Sequence, residues 1–192
     1  MKHIVCIGDS LTYGSRDEFG RSYPAELSKI FWEQEKKKVN CIVKAIPGQS
    51  SSDLLKRIYV DCQVCKDAML GLLMIGTNDT KEMNQYPVEV FQDNLRQILN
   101  VMVDSFDHVG VAKIPYLRGT GLPIYCKKAN KIIDIYNESV LQLVKEYGRK
   151  VFYVDFGDMS KHYVDGVHFN NDGYKKMAKE WYREIKEKKI IL

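Results

Sequence analysis

Short apolar runs alternate along the chain with stretches in which apolar residues recur every three or four positions. Five of the runs are rich in β-branched residues and mostly apolar on both faces, which is typical of buried parallel strands. They cover residues 4–7, 41–46, 69–75, 109–114 and 151–154. The pattern therefore predicts five short strands.

The stretches between these runs predict five helices, each with one apolar stripe. The stripes fall within residues 23–31, 54–62, 91–102, 132–147 and 174–185. Ser22 and Pro24 are residue types that favour a helix start, so we expect the first helix to begin there. Gly148 is of a type that favours a helix end, and we expect it to end the fourth helix.

Strand and helix alternate five times, which predicts a parallel sheet with helices on both faces. We therefore expect an α/β fold, namely a three-layer α/β/α sandwich with a flavodoxin-like, five-stranded parallel sheet. Neither a repeat nor a linker is visible, so a single domain over residues 1–192 is expected. Ligands of such sheets bind beyond the carboxyl ends of the strands. Ser10, Gly48, residues 76–79 and residues 115–125 follow predicted strand ends, so we expect them along one edge.

Composition and charge bear on the cellular location of the protein and on the class of partner that it binds. The 192 residues are 45% hydrophobic and 28% charged, with a net charge of +4. No run approaches the ~18 apolar residues of a membrane span, and the first residues lack the features of a signal peptide. We therefore expect a cytoplasmic protein without membrane insertion. Basic residues concentrate at 36–38 and 175–189, where interspersed glutamates indicate a solvated helix face, so nucleic acid is not an expected partner.

Five cysteines in a chain of this kind do not suggest a disulfide framework. They are Cys6, Cys41, Cys62, Cys65 and Cys126. Cys62 and Cys65 have the spacing of a redox or metal pair. They share the apolar stripe of the second predicted helix with Leu54, Leu55, Ile58 and Tyr59, which favours core packing over chemistry.

Three residues would supply a Ser-His-Asp charge system. Ser10 follows the first predicted strand, and Asp165 stands three residues before His168 near the other end of the chain. A serine hydroxyl becomes a good nucleophile only with a base within hydrogen-bond reach. Taken alone, Ser10 also fits a helix cap and residues 165–168 a surface turn. His162, four residues after Asp158, is an alternative base.

Four short blocks occur in order along almost the whole chain. They are Gly8-Asp9-Ser10-Leu11, Pro47-Gly48-Gln49-Ser50, Gly76-Thr77-Asn78-Asp79 and Asp165-Gly166-Val167-His168. In this order they resemble the blocks of the GDSL, or SGNH, hydrolase family. The first block differs from the Gly-x-Ser-x-Gly elbow of α/β-hydrolases, because Thr12 stands where that motif requires its second glycine.

The resemblance implies a role for each matching residue. Ser10 is the nucleophile, His168 its general base, and Asp165 the group that orients the imidazole. The N–H groups of Ser10 and Gly48 and the amide of Asn78 form the oxyanion hole. Fixed donors of this kind stabilise the charge of a tetrahedral intermediate. The resemblance implies neither a metal nor an organic cofactor.

Several neighbours of these residues are expected to act structurally or to shape the pocket. Asp9, Asp79 and Thr77 fit caps or braces of the loops better than catalytic groups. Pro47, Gln49 and Phe169 depart from what many members of the family carry beside the site. Residues 115–125 fit a substrate wall or lid, and Tyr13, Tyr86, Tyr116 and Tyr125 are candidate pocket aromatics.

The sequence thus predicts a serine-dependent hydrolase of small acyl esters, with short, acetyl-type esters favoured. A lysophospholipase or thioesterase of the same family is one alternative. A non-catalytic ligand-binding module on the same fold is another, and a thiol-dependent redox protein using Cys62 and Cys65 is a third. Acyl chain length, the alcohol portion and the oligomeric state are left open by the sequence.

Overall fold

The structure, a computed structural model, describes residues 2–18, 20–65, 67–81, 86–119 and 123–190, with the side chains of 123–127 excepted. The strands are β1 (Lys2–Gly8), β2 (Val39–Ala45), β3 (Leu70–Met74), β4 (His108–Ala112) and β5 (Val151–Val154). The helices are α1 (Ser10–Tyr13), α2 (Tyr23–Glu35), α3 (Ser51–Leu55), α4 (Ile58–Gln63), α5 (Val88–Ser105), α6 (Pro123–Glu146) and α7 (Asn171–Glu187). Short 3₁₀ turns cover Asn78–Thr80 and Gly148–Lys150.

The five strands form one parallel sheet in the order β2-β1-β3-β4-β5. This confirms the predicted flavodoxin-like sheet and all five predicted strands within one or two residues at each end. The chain runs outward from β1 to β2 and then returns to β3 on the other side of β1. That reversal opens a crevice at the carboxyl ends of β1 and β3, where sheets of this type bind ligands.

Helices cover both faces of the sheet and enclose two apolar cores. On one face α2 and α7 pack against the sheet around the fully buried Trp181 and Tyr23. On the other face α3 to α6 pack around residues such as Leu95 and Ile133. The predicted three-layer α/β/α sandwich is therefore confirmed. None of the helices in the described part of the chain is long and apolar enough to cross a membrane.

The second predicted helix is two helices, so the prediction of one continuous stripe over residues 54–65 is wrong. α3 ends at Leu55 and α4 begins at Ile58, with a break at Arg57. Tyr59 is 64% exposed, whereas Cys65 is buried in the turn that follows α4. The break turns the Arg57 side chain towards the ends of β1 and β2, where its guanidinium donates to two backbone carbonyls.

The predicted ends of two other helices differ in detail. Ser22 occupies the N-cap position of α2 with extended backbone, and Pro24 lies in the first turn, but the Ser22 side chain makes no cap hydrogen bond. α6 ends at Glu146, two residues before Gly148. Gly148 has a φ of +61°, a left-handed conformation that glycine adopts without strain, so the chain leaves the helix direction there as expected.

Trp181 and Trp32 allow a matched test of this packing. Trp181 is fully buried against Phe156 and Phe152, with ring centroids 5.7 and 6.4 Å away, whereas Trp32 on α2 is 49% exposed. Trp181→Ala should lower the free energy of unfolding by about 3–5 kcal/mol, because it leaves a large cavity. Trp32→Ala should cost less than about 1 kcal/mol. Urea unfolding followed by circular dichroism measures both, and equal losses would contradict the assignment of the core.

Candidate active site

Ser10 lies directly beyond the carboxyl end of β1, at the start of the short helix α1. Asp9 is the N-cap of that helix, and its Oδ1 accepts a hydrogen bond of 2.9 Å from the N–H of Leu11. Gly8 permits the tight turn, since a Cβ there would lie 2.3 Å from the carbonyl oxygen of Met74 on β3. The strand end and the cap together hold Ser10 at the edge of the sheet, with 6% of its surface exposed.

Asp165 and His168 complete a hydrogen-bonded chain to Ser10 from a loop 158 residues later in the sequence. His168 Nε2 lies 3.0 Å from Ser10 Oγ, and His168 Nδ1 lies 2.8 Å from Asp165 Oδ2. A neutral imidazole protonated at Nδ1 donates to the carboxylate and leaves the Nε2 lone pair to accept the serine hydroxyl. This arrangement can remove a proton from Ser10.

A short turn holds the carboxylate against the imidazole. Asp165 Oδ1 accepts hydrogen bonds from the N–H groups of Val167 (3.0 Å) and His168 (2.8 Å), while Oδ2 faces the ring. Partial burial by itself would raise the pKa of Asp165, but the backbone and side-chain hydrogen bonds from His168, followed by that from Val167, hold it below its ordinary value. The carboxylate therefore stays charged where it can stabilise an imidazolium.

The turn is fixed from outside by the segment that follows β4. The N–H of Arg118 donates to the carbonyl oxygen of Gly166 at 2.7 Å, and the Tyr163 hydroxyl donates to the carbonyl oxygen of Tyr116. Gly166 has a φ of +85°, and a Cβ there would lie 2.0 Å from the carbonyl oxygen of Arg118. Only glycine fits this position, because both the backbone angle and the close approach exclude a side chain.

Phe169 anchors the same loop from the core side. It is fully buried, and its ring lies 4.7 Å from that of Tyr163 and 6.2 Å from that of Tyr174. The carbonyl oxygen of the preceding His168 accepts from the N–H of Val164 at 2.8 Å. The departure that the sequence suggested at Phe169 thus places a large apolar anchor directly after the imidazole.

Asn78 and Gly48 lie in the loops that follow β3 and β2. Asn78 Nδ2 donates to the carbonyl oxygen of Gln49 at 2.9 Å and, over a longer 3.3 Å, to Asp9 Oδ2. Gly48 has a φ of +84°, and nothing lies within 4 Å of the place where its Cβ would be. The loop of Gly48 and Gln49 is therefore tied to Asn78 and open towards the edge of the sheet.

Two buried carboxylates brace these loops, as the sequence suggested for Asp9 and Asp79. Asp79 accepts hydrogen bonds from the N–H (2.9 and 3.1 Å) and the hydroxyl of Ser51, and Asn94 donates to that hydroxyl at 3.0 Å. Burial raises the pKa of Asp79. For Asp9, burial outweighs the hydrogen bond from Leu11 and, with the charge of Asp79 adding to it, raises the pKa to about 7.

The remaining sequence candidates have other contacts or lie at the surface. His162 flanks the anchor of the loop, where its carbonyl oxygen accepts from the N–H of Asn170 at 2.8 Å, and it is His168 that contacts Ser10. The carbonyl oxygen of Tyr86 accepts from the Tyr136 hydroxyl at 2.7 Å. Tyr13 is 56% exposed on α1. The candidate wall or lid over residues 115–125 falls partly outside the described residues, as does the side chain of Tyr125.

A cavity of about 310 Å³ lies beyond the ends of β4 and β5. Its lining includes the apolar Phe156 and Met159 together with four charged side chains, and Arg118 and Tyr163 form part of its wall. Those two residues also hold the turn of Asp165 and His168, so the cavity borders the loop that carries the base. In the part of the chain that is described, no group of three or more potential ligands is arranged to hold a metal ion.

Sequence reasoning missed the residues that hold the site from behind. Arg57 binds backbone carbonyls at strand ends, and Tyr163 and Arg118 make hydrogen bonds to backbone carbonyls of loops, so none of the three belongs to a recognisable motif. The two backbone partners of Arg57 lie 13 and 49 residues away, and those of Tyr163 and Arg118 lie 47 and 48 residues away. Arginine is a residue type that favours helix, so nothing in the sequence signals the break that the structure has at Arg57.

Comparison with known proteins gives a family and a fold. The profile of a family described as GDSL-like Lipase/Acylhydrolase matches residues 4–181. A multidomain esterase of Ruminococcus flavefaciens is 35% identical over 118 residues, which cover 59% of this chain. The match covers 15% of the length of that protein, so the chain corresponds to a small part of it.

Two solved structures share the fold closely. An acetylxylan esterase from Geobacillus stearothermophilus superposes with a TM-score of 0.78 at 20% identity, covering 96% of this chain and 94% of the other. A lipase/acylhydrolase from Enterococcus faecalis gives a TM-score of 0.76 at 22% identity, covering 97% and 96%. Each superposition therefore extends over nearly the full length of both chains.

Gly166 and Gly157 give a matched test of the loop that carries the base. Both have positive φ, but a Cβ at Gly157 meets only Lys176 Nζ at 3.8 Å, whereas one at Gly166 meets backbone at 2.0 Å. Gly166→Ala should displace the turn of Asp165 and His168 and lower the hydrolysis of p-nitrophenyl acetate by about 10- to 100-fold. Gly157→Ala should cost about 1–2 kcal/mol of stability and lose much less turnover. Equal losses of turnover would contradict the role of Gly166.

The pH dependence of the free energy of unfolding should reveal the raised pKa of Asp9. Its pKa is about 7 in the folded protein and about 4 in an unfolded chain, so the folded state holds an extra proton between these values. The contribution of Asp9 to the free energy of unfolding is greatest below about pH 4, decreases as the pH rises to about 7 and is constant above that. The difference between wild type and Asp9→Asn, from urea unfolding, should change across this window.

Asp53→Asn is the control for this experiment. Hydrogen bonds from the Ser50 side chain and backbone lower the pKa of Asp53, so that variant should differ from wild type in slope only below about pH 4. Parallel profiles for wild type and Asp9→Asn between about pH 4 and 7 would show that Asp9 is not perturbed in this way.

Proposed function

The chain belongs to the GDSL-like lipase/acylhydrolase family and is a carboxylic ester hydrolase, and we propose that it cleaves short acyl esters through an acyl-enzyme on Ser10. The observation that carries this proposal is the continuous chain from Ser10 Oγ through His168 to Asp165, with contacts of 3.0 and 2.8 Å. Each residue in it has the partner that its role requires.

In the first half of the reaction, the Ser10 hydroxyl attacks the ester carbonyl. Its proton passes to His168 Nε2 as the bond from Oγ to the carbonyl carbon forms. The imidazolium remains paired with Asp165, whose hydrogen bonds from Val167 and His168 keep it ionised. When the bond to the alcohol breaks, His168 returns the proton to the leaving oxygen, and the acyl group stays on Ser10.

The second half repeats these steps with water. His168 takes a proton from a water molecule that attacks the acyl carbon, and then delivers it to Ser10 Oγ as the acid leaves. The sum of the two halves is one ester and one water converted to one acid and one alcohol. The protein is restored without any other reactant.

Donors for the carbonyl oxygen come from three loops. We assign the N–H of Ser10, the N–H of Gly48 and the amide of Asn78 to this role, because the loops that carry them follow three neighbouring strands that end at the same level. Asn78 Nδ2 donates to the carbonyl oxygen of Gln49 at 2.9 Å and, in a longer hydrogen bond of 3.3 Å, to Asp9 Oδ2. That weaker bond is the one a substrate oxygen would replace or share.

A short acyl group and a polar alcohol suit the surroundings best. The cavity next to the base loop is lined by Lys113, Arg118, Asp155 and Asp158 as well as apolar side chains. Charged side chains of both signs accommodate a hydroxyl-rich alcohol more readily than a long acyl chain. The acetylxylan esterase of similar fold acts, by its name, on an acetylated carbohydrate, and we propose that class for this chain.

A thiol-dependent redox function has less support. Burial, as the largest cause, raises the pKa of Cys62 to about 11 and also raises that of Cys65. Both groups are therefore protonated thiols at neutral pH, whereas exchange chemistry requires a thiolate.

The assignment is tested by two variants of the triad and one control variant, with p-nitrophenyl acetate as substrate. Ser10→Ala and His168→Ala should each lower kcat by at least about 1,000-fold, because neither retains a path for the serine proton. His162→Ala replaces the other histidine of the loop and should stay within about threefold of wild type. A fluorophosphonate should label Ser10 in the wild type and not in Ser10→Ala. Wild-type turnover by Ser10→Ala would overturn the proposal.

Substrate class is tested with esters of increasing acyl length and with acetylated xylo-oligosaccharides. We expect kcat/KM to be highest for acetyl esters and to fall by about 10-fold or more from acetyl to decanoyl. A maximum at long acyl chains or at lysophospholipids would favour the lipase alternative, and a maximum at acyl thioesters would favour a thioesterase. Binding without turnover of any of them would indicate a ligand-binding module.

A further inference from the structure

Arg57 joins three parts of the structure behind the candidate oxyanion hole. Its side chain is 17% exposed and lies in the break between α3 and α4. Nε donates to Gln49 Oε1 at 2.6 Å, Nη2 donates to the carbonyl oxygen of Gly8 at 3.2 Å, and Nη1 donates to that of Lys44 at 3.2 Å. Nη1 also pairs with the carboxylate of Asp61.

These contacts connect the ends of two strands with the loop that bears Gly48. Gly8 and Lys44 lie at the carboxyl ends of β1 and β2, and Gln49 follows Gly48 directly. Gln49 is held on both sides, since its side chain accepts from Arg57 and its carbonyl oxygen accepts from Asn78 Nδ2 at 2.9 Å. One residue thus links the guanidinium to both the Gly48 loop and the Asn78 amide.

The loop depends on hydrogen bonds because packing does not hold it. Gly48 and Pro47 are exposed, and the space where a Cβ of Gly48 would lie is empty to 4 Å. The backbone bonds of this segment are the N–H of Ile46 to Gly8 at 3.2 Å and the N–H of Gln49 to Ile46 at 3.4 Å. The second of these is long, so the Gln49 side chain is the firmest tether on that side.

We infer that Arg57 is a positioning residue for the oxyanion hole, acting through Gln49 on the Gly48 N–H and the Asn78 amide without touching substrate. The inference rests on the proposed function, since it needs an acyl transition state to act on. Oxyanion donors work only within a narrow distance range, so a loop that shifts by about 1 Å loses much of the rate. The planar guanidinium donates in fixed directions to four acceptors, namely Gln49, the two strand-end carbonyls and Asp61, which a lysine ammonium cannot reproduce.

The inference also gives Gln49 a role, as the acceptor for the Arg57 guanidinium. Arg57 needs an acceptor at this place, and the Gln49 amide oxygen supplies one without a second negative charge beside Asp61. A carboxylate there would accept the same bond. Gln49→Glu should therefore preserve the tether, whereas Gln49→Leu keeps the size of the side chain and removes the acceptor.

The test measures kcat and KM for p-nitrophenyl acetate in Arg57→Ala, Arg57→Lys and Gln49→Leu. We expect kcat to fall by about 10- to 100-fold in Arg57→Ala, by a smaller factor in Gln49→Leu, and KM to stay within about threefold in each. The kcat of Arg57→Lys should remain well below that of wild type. The pH dependence of kcat/KM should keep its midpoint, because the contacts of His168 with Asp165 and Ser10 are untouched.

Two further variants separate positioning from general loss of structure. Asp61→Asn removes the charge partner of Arg57 but leaves its three bonds to Gln49 and the strand ends, so its kcat should stay close to that of wild type. Gln49→Glu should recover most of the kcat lost in Gln49→Leu. The double variant Arg57→Ala/Gln49→Leu should lose little more than Arg57→Ala alone, since both changes break the same link.

Several outcomes would overturn the inference. They are a folded Arg57→Ala protein with wild-type kcat, multiplicative losses in the double variant, or Gln49→Glu as slow as Gln49→Leu. If the Arg57→Ala protein does not fold, a wild-type kcat in Gln49→Leu would by itself overturn the inference. Failure of the proposed function is distinguishable from all of these, because Ser10→Ala would then retain the turnover of wild type.

Discussion

Parallel pairing of β1 with both β2 and β3 is the constraint on which the rest of the site depends. The register places Gly8 opposite Ala45 on one side and opposite Met74 on the other, so the three strands end at the same level. The loops that follow them therefore start side by side, and Ser10 lies between them. Gly8 allows this because any side chain there would meet the Met74 backbone.

Polar contacts, rather than apolar packing, then fix the loops above this edge. Asp9 caps α1 and reaches Asn78, Asp79 holds the start of α3, and Arg57 ties Gln49 to the strand ends. Burying two carboxylates close together opposes folding, as the raised pKa of each indicates. The two apolar cores on the faces of the sheet offset this cost, which lets the edge carry a rigid polar site.

The general base, His168, is positioned in a different way, by a turn that is held at both ends. Its inner end is the Asp165 carboxylate, which accepts the backbone N–H groups of the turn, and its outer end is the contact of Gly166 with Arg118. Phe169 locks the next residue into the core. The imidazole of His168 is therefore already held beside Ser10 before the reaction. Little conformational entropy is lost in the transition state, which favours proton transfer.

The sequence by itself determined the strands, the stripes of α2, α5, α6 and α7, the fold class and the family, because periodicity and turn chemistry are local. It also identified Ser10, Asp165 and His168 as a group through the four blocks. Only the tertiary structure decided the break at Arg57 and the partners of Arg57 and Gly166. Those contacts join residues 49 and 48 positions apart, and which residues meet over such distances follows from strand order and loop path rather than from local preference.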